Sequence, residues 1–127
     1  PGSSSRRKGH DFERLMVHRF AEVFGADRVH RGLQFRDGHE VADVVAPAFH
    51  IECKRGLRTN PRAALAQATE DSLGKGLWPI AVCKDDKQQP FVTMHLEDFL
   101  DLLGEWWAGR IDDLGLQRAR KTAEERG

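Results

Sequence analysis

The stretch Asp43-Val44-Val45-Ala46-Pro47-Ala48-Phe49-His50-Ile51-Glu52-Cys53-Lys54 decides how this chain is read. Two short apolar runs, Val41–Ala46 and Phe49–Lys54, flank Pro47-Ala48, which reads as the tip of a hairpin. With those two residues central, Asp43 lies directly opposite Glu52, their Cβ atoms about 5 Å apart. Strand alternation adds Lys54 to the same face and leaves Val44, Ile51 and Cys53 to form a core on the other. Two carboxylates this close repel unless a cation lies between them. Hard oxygen ligands favour magnesium or manganese over zinc. A neighbouring ammonium can orient a water or stabilise charge developing on a phosphoryl group. On spacing alone, an exposed strand face with a salt bridge from Lys54 to one acid fits the same residues.

Outward from the hairpin, the chain supplies helices and further strands. From Asp11 to Phe24, the residues Phe12, Leu15, Met16, Val17, Phe20, Val23 and Phe24 recur at helical spacing, and Gly25 follows as a C-cap. Arg28 to Phe35 reads as a strand, with Asp37-Gly38 as a tight turn. Pro61 to Leu73 is Ala-rich and helical, with Asn60 as its cap. Trp78–Cys83 and Phe91–Met94 are two more apolar strands. A last helix starts at Glu97–Leu103 and resumes after Gly104 through Trp106, Trp107, Ile111 and Leu114, while Arg118–Gly127 reads as a fraying polar end. This order predicts an α/β fold, a central mixed five-stranded sheet flanked by helices.

At 127 residues the chain suits one compact domain. Residues 1–5 are set aside as an expression-tag remnant, 6–104 form the domain, and 105–127 a C-terminal helical extension. Hydrophobic residues at 39% against 31% charged exclude a disordered chain. No apolar run reaches the length of a membrane span and no signal-peptide core follows the basic start, so a cytoplasmic protein is expected. Cys53 and Cys83 read as reduced core thiols, and no Cys or His pair has zinc-ligand spacing.

The hairpin acids, Glu52-Cys53-Lys54 and a glutamate on the preceding helix resemble the PD-(D/E)XK nuclease superfamily. More narrowly, the chain is similar to the archaeal-type Holliday junction resolvases, which phages also carry. Arg7-Lys8-Gly9-His10-Asp11-Phe12-Glu13-Arg14 matches their opening pattern, and Val41-Ala42-Asp43-Val44-Val45 with His50-Ile51-Glu52-Cys53-Lys54 matches their metal-binding hairpin. Trp78–Lys84 resembles their next strand, so the likeness runs from about Arg6 to Met94. Ala42 stands where the superfamily's proline would be, the segment Arg31–Asp43 is longer than the family norm, and the two C-terminal tryptophans extend beyond it.

The resemblance implies a restriction-endonuclease-like core and metal-dependent phosphodiester hydrolysis that resolves four-way DNA junctions and leaves a 5′-phosphate. Glu13, Asp43 and Glu52 would hold Mg2+, with Mn2+ able to substitute. Lys54 would sit beside the attacking water. Arg14 would touch a phosphate, and Arg31 occupies the place of another family arginine. No small-molecule cofactor is implied.

Because 20 basic and 20 acidic residues cancel, attraction to DNA has to come from local clustering. Lys54, Arg55, Arg58 and Arg62 fall within nine residues free of acids, and Arg6, Arg7 and Lys8 form a second cluster. Salt-sensitive phosphate contacts are expected of both. Gln67 is a further candidate for the metal site or a phosphate, and Glu97, Asp98, Asp101, Glu105, Asp112 and Asp113 make the C-terminal region acidic. Symmetric cutting of a junction asks for a two-fold homodimer, its apolar surface drawn from the last helix or from Phe91–Met94. Two other readings stay open: a nuclease of the same superfamily acting on another DNA in repair or restriction, and a non-catalytic DNA-binding module of the same fold.

Overall fold

The computed structural model describes the backbone of residues 2–32 and 41–126, and the side chains of 5–32, 41–110 and 121–126. In chain order the elements are α1 (Gly2–Phe24), β1 (His30–Arg31), β2 (Val44–Ala46), β3 (Phe49–Gly56), α2 (Pro61–Asp71), β4 (Trp78–Asp85), β5 (Phe91–Thr93) and α3 (Leu96–Arg126). Among the described residues five strands form one mixed sheet in the order β1-β2-β3-β4-β5. Only β3 and β4 run parallel; the other neighbours are antiparallel. The α/β architecture with a mixed sheet and flanking helices is therefore present.

The hairpin forms as its sequence predicts. Val44 pairs with Ile51, Val45 with His50 and Ala46 with Phe49 around the Pro47-Ala48 tip. Ala48 sits at φ 70°, the left-handed region that costs any residue with a Cβ about 1–2 kcal/mol. Its carbonyl accepts the Trp78 N–H at 2.8 Å, which ties the hairpin tip to the start of β4.

Alternation along β3 sorts its side chains between two different neighbours. Ile51 and Cys53 join Val44, Ala46, Ile80 and Val82 beneath Phe12 and Met16 of α1, forming the larger core. On the other face Ala81 and Cys83 of β4 meet Ala64 and Leu65 of α2, where alanines let the helix lie close to the sheet. Buried on both faces, β4 reads as one apolar run. The α2 side of β3 carries His50, Glu52 and Lys54 instead, so the sheet's polar chemistry is concentrated there.

Several boundaries differ from the sequence reading. Helix α1 begins at Gly2, not Asp11, because the residues before Asp11 are small or polar, residues 5–8 are exposed, and no apolar period marks this part of the helix. Among the described residues the first strand covers His30–Arg31, and Arg28 belongs instead to a 3₁₀ turn, Ala26–Arg28. Residues 33–40, including the expected Asp37-Gly38 turn, lie outside the described residues. Strand β2 starts at Val44, and α2 stops at Asp71, where the Ser72 N–H turns back to the Ala68 carbonyl at 3.0 Å. Strands β3 and β4 run further than expected because their parallel pairing continues through Arg55–Lys84 and Gly56–Asp85.

Helix α3 passes through Gly104 unbroken to Arg126, so the polar end is helical. A helical glycine costs only about 1 kcal/mol, too little to break so long a helix. The chain accordingly divides into compact units at Met94/His95, ahead of the boundary expected after Gly104. Cys53 and Cys83 are free and buried. Among the described residues no helix is long and apolar enough to cross a membrane.

Two substitutions test this packing. Ala48→Gly relieves the left-handed strain and should raise stability by about 1 kcal/mol in urea denaturation, with an unchanged m-value. Gly32→Ala does the reverse: a Cβ there would stand 1.7 Å from the Ala42 carbonyl oxygen, and the loss should reach about 2–3 kcal/mol.

Candidate functional site

Asp43 is held by its backbone and side chain together. Its N–H donates to the Ile51 carbonyl at 3.0 Å and its carbonyl accepts the Gly32 N–H at 2.9 Å. Its carboxylate accepts the Cys53 N–H at 2.8 Å. Asp43 therefore does not stand in a ladder pair with Glu52. The ladder begins at Val44, and the Asp43 side chain takes a strand donor in its place. Only 7% of Asp43 is exposed.

Burial, and next the nearby charge of Glu52, push the Asp43 carboxyl up from 3.8 to about 7. The Cys53 N–H opposes that rise, Glu13 adds to it, and Lys54 counters it. Glu52, Glu13 and Lys54, all singled out in the sequence, thus each act on Asp43. Burial and the charges of Asp43, Glu13 and Glu52 raise the Cys53 thiol as well, which keeps it protonated and unreactive.

Each acid arrives from a different element. Glu13, half-buried on α1, is held by Arg31 of β1 at 2.7 Å from Nη2 to Oε2, and the same Nη2 contacts His10 Nδ1 at 2.7 Å. Arg31 is therefore the counter-ion of Glu13. Glu52 is buried on the α2 side of β3, and its Oε2 has no hydrogen-bond partner among the described residues. Lys54 is exposed, two residues further along the same face. Glu13, Asp43 and Glu52 offer the oxygen ligands a hard divalent cation prefers, but among the described residues their carboxylates do not form a set close enough to share one ion.

The basic residues are more constrained than their acid-free run suggested. Arg55 is ion-paired with Asp86, which Lys8 of α1 also approaches at 3.7 Å. Arg55 and Lys8 together hold the Asp86 carboxyl below its usual range, the Arg55 hydrogen bond contributing most. Asp85 accepts from Thr59 N at 2.8 Å and Thr59 Oγ1 at 2.6 Å, fixing the loop that bears Arg58. Arg14 pairs with Asp11 at 3.2 Å. Arg7, Arg58 and Arg62 are exposed and carry no ion pair among the described residues. Gln67 is exposed on α2 and makes no hydrogen bond or ion pair among the described residues.

Beyond these, the fold gathers a group not singled out in the sequence. His50, Glu52 and Asp71 bring one ligand atom each to within 4.8 Å of one another. Asp71 is remote in sequence, and only the return of α2 across β3 places it there. His-x-Glu on a strand was the one available signal.

Without a divalent cation, stability should depend on Asp43 in a defined direction. Because its folded pKa is raised, the folded state holds a proton that the unfolded state has lost between pH 4 and 7. Stability is then fully present below about pH 4 and falls as pH rises to 7, by at most about 4 kcal/mol. In EDTA, Asp43→Asn should lose this slope relative to the parent protein and be the more stable of the two at pH 8. Denaturation at pH 5 and pH 8 measures the difference; Mn2+ at pH 8 should stabilise the parent more.

Compared with protein-family models, with curated proteins and with solved structures, the chain has no match in any of the three.

Proposed function

We propose that this chain is a divalent-cation-dependent endonuclease of the PD-(D/E)XK type, acting as a homodimer on branched DNA and on four-way junctions in particular. The observation that supports this reading is the environment of Asp43. A buried carboxylate fixed by the Cys53 N–H feels the charges of Glu52, Glu13 and Lys54 together. A sheet with α1 packed on one face and α2 on the other, and a β2–β3 hairpin leading into a parallel β3–β4 pair, is compatible with a restriction-endonuclease-like core.

Glu13, Asp43 and Glu52 would hold Mg2+ or Mn2+. Such an ion, when bound, lowers the pKa of its water and draws charge from the phosphoryl oxygens. Lys54, exposed and without an ion pair among the described residues, holds the attacking water by its oxygen and offsets charge growing on the phosphate. The water oxygen bonds to phosphorus as the bond to O3′ breaks. One proton leaves the water, O3′ takes up another, and the products are a 5′-phosphate and a 3′-hydroxyl. Arg7, Arg58 and Arg62 supply the backbone contacts, which position DNA without reading its bases.

A second subunit gives a four-way junction the paired sites its symmetry requires. Leu96, Phe99, Leu103, Trp106 and Trp107 lie exposed along α3 at the spacing of one helix stripe and offer apolar area for pairing.

A cleavage assay in Mg2+ tests the reading. The parent protein should nick a synthetic four-way junction at matched positions in opposing strands, and EDTA should abolish it. Asp43→Asn and Lys54→Ala should each slow cutting by about a hundredfold or more. Equal cutting of linear duplex moves the enzyme to another DNA substrate. No cutting of any DNA in Mg2+ or Mn2+, or undiminished cutting by Asp43→Asn, overturns the proposal.

A further inference from the structure

We propose that His50, Glu52 and Asp71 bind a divalent transition-metal ion, of the zinc, cobalt or manganese class, on the α2 side of the sheet. Three observations lead there. The first is burial without partners. His50 is 2% and Glu52 5% exposed, and His50 Nε2, Glu52 Oε2 and Asp71 Oδ2 are all shut from solvent with no hydrogen-bond partner among the described residues. A buried polar atom left without a partner is costly. Three of them in one place share a remedy in a single cation.

The second observation is spacing. His50 Nε2 and Glu52 Oε2 stand 3.8 Å apart, too far for a hydrogen bond. Ligands about 2.0–2.2 Å from one ion lie roughly 3–3.5 Å from each other, so His50 and Glu52 need only a few tenths of an ångström, and Asp71, within 4.8 Å of them, a side-chain movement of about 1 Å, to close the site. Local structure explains the trio. Alternation puts His50 and Glu52 on one face of β3, and α2, running back towards the start of β4, ends at Asp71 beside them. A carboxylate at the C-terminal end of a helix faces the negative pole of its dipole, which a cation would offset.

The third is access. A cleft of about 370 Å³, lined by Val45, Phe49, His50, Lys75 and Leu77 among others, opens beside the imidazole. The imidazole also sets the class of ion, because nitrogen ligation favours first-row transition metals over magnesium. Glu52 is common to this trio and to the acids around Asp43, so one carboxylate serves two neighbouring groups of ligands. The proposal goes beyond the nuclease reading and stands on metal binding alone.

Cobalt(II) titration of the full chain, followed by visible ligand-field absorption and by equilibrium dialysis, tests it. The parent protein should bind Co2+ with a nitrogen-ligated spectrum that a large excess of Mg2+ does not erase. Asp71→Asn and His50→Gln should each lose that spectrum and at least about tenfold in affinity, since even outer-shell changes at metal sites cost that much. Glu13→Gln should keep both. Asp71→Asn removes a part-buried charge beside the buried Glu52 and should melt no lower than the metal-free parent, which separates lost binding from lost folding. No such spectrum in the parent, or the parent's spectrum and affinity in both Asp71→Asn and His50→Gln, overturns the proposal. DNA cleavage is not read, so a failed nuclease assay leaves this result standing.

Discussion

A carboxylate taken out of water must find donors, and the described donor for Asp43 is the Cys53 backbone N–H at 2.8 Å. A hydrogen bond to a charged group contributes about 1.5–3 kcal/mol, whereas burying a charge costs several kcal/mol. The remainder appears as the raised Asp43 pKa, made larger by Glu52 and Glu13. The protein therefore holds its acids in a position that water alone would not favour. The surrounding backbone enforces it, through the Ile51 carbonyl on one side and the close approach of Gly32 on the other. An arrangement maintained against its own electrostatics is what a cation site requires before the cation arrives.

The hairpin was legible because its signals are local. A proline at the tip and strict alternation on either side fix the register, and the register assigns Val44, Ile51 and Cys53 to the core. The same alternation placed Asp43 squarely across from Glu52. The chain instead uses the Asp43 side chain as an acceptor one residue before the ladder starts, which no pattern of residue types encodes. The partners of the arginines were illegible for another reason. Arg55 meets Asp86 only because β3 and β4 are parallel and in a particular register, and Arg31 meets Glu13 only because α1 crosses β1. A run of basic residues without a nearby acid in sequence says nothing of acids that a neighbouring strand delivers. His50 and Asp71 are the same case: contact between β3 and the end of α2 has to exist before the cluster can.

Helix α1 shows how little of the site's geometry its polar contacts determine. At one point Lys8 reaches Asp86, with both side chains partly in solvent; at another Glu13 reaches Arg31. Exposed pairs of the first kind contribute about 0–1 kcal/mol, too little to set where a helix lies. Phe12 and Met16, each 4% exposed, do that work by burying their side chains against Val44, Ile51 and Val82. Full burial of two such side chains stabilises by about 3–6 kcal/mol, several times the ion pair.

The helix is therefore rotated by its apolar stripe, and Glu13, one residue past Phe12, is carried to the flank where Arg31 and the Asp43 carboxylate lie. Shifting that stripe by one position would turn the helix about 100° and take Glu13 away from the other acids, whatever its own charge preferred. The placement of the helix carboxylate is thus a property of the core, and only its protonation and its partner belong to electrostatics. The hairpin follows the same rule. Val44, Ile51 and Cys53 hold one face against α1, and the alternate residues His50, Glu52 and Lys54 are left together on the other.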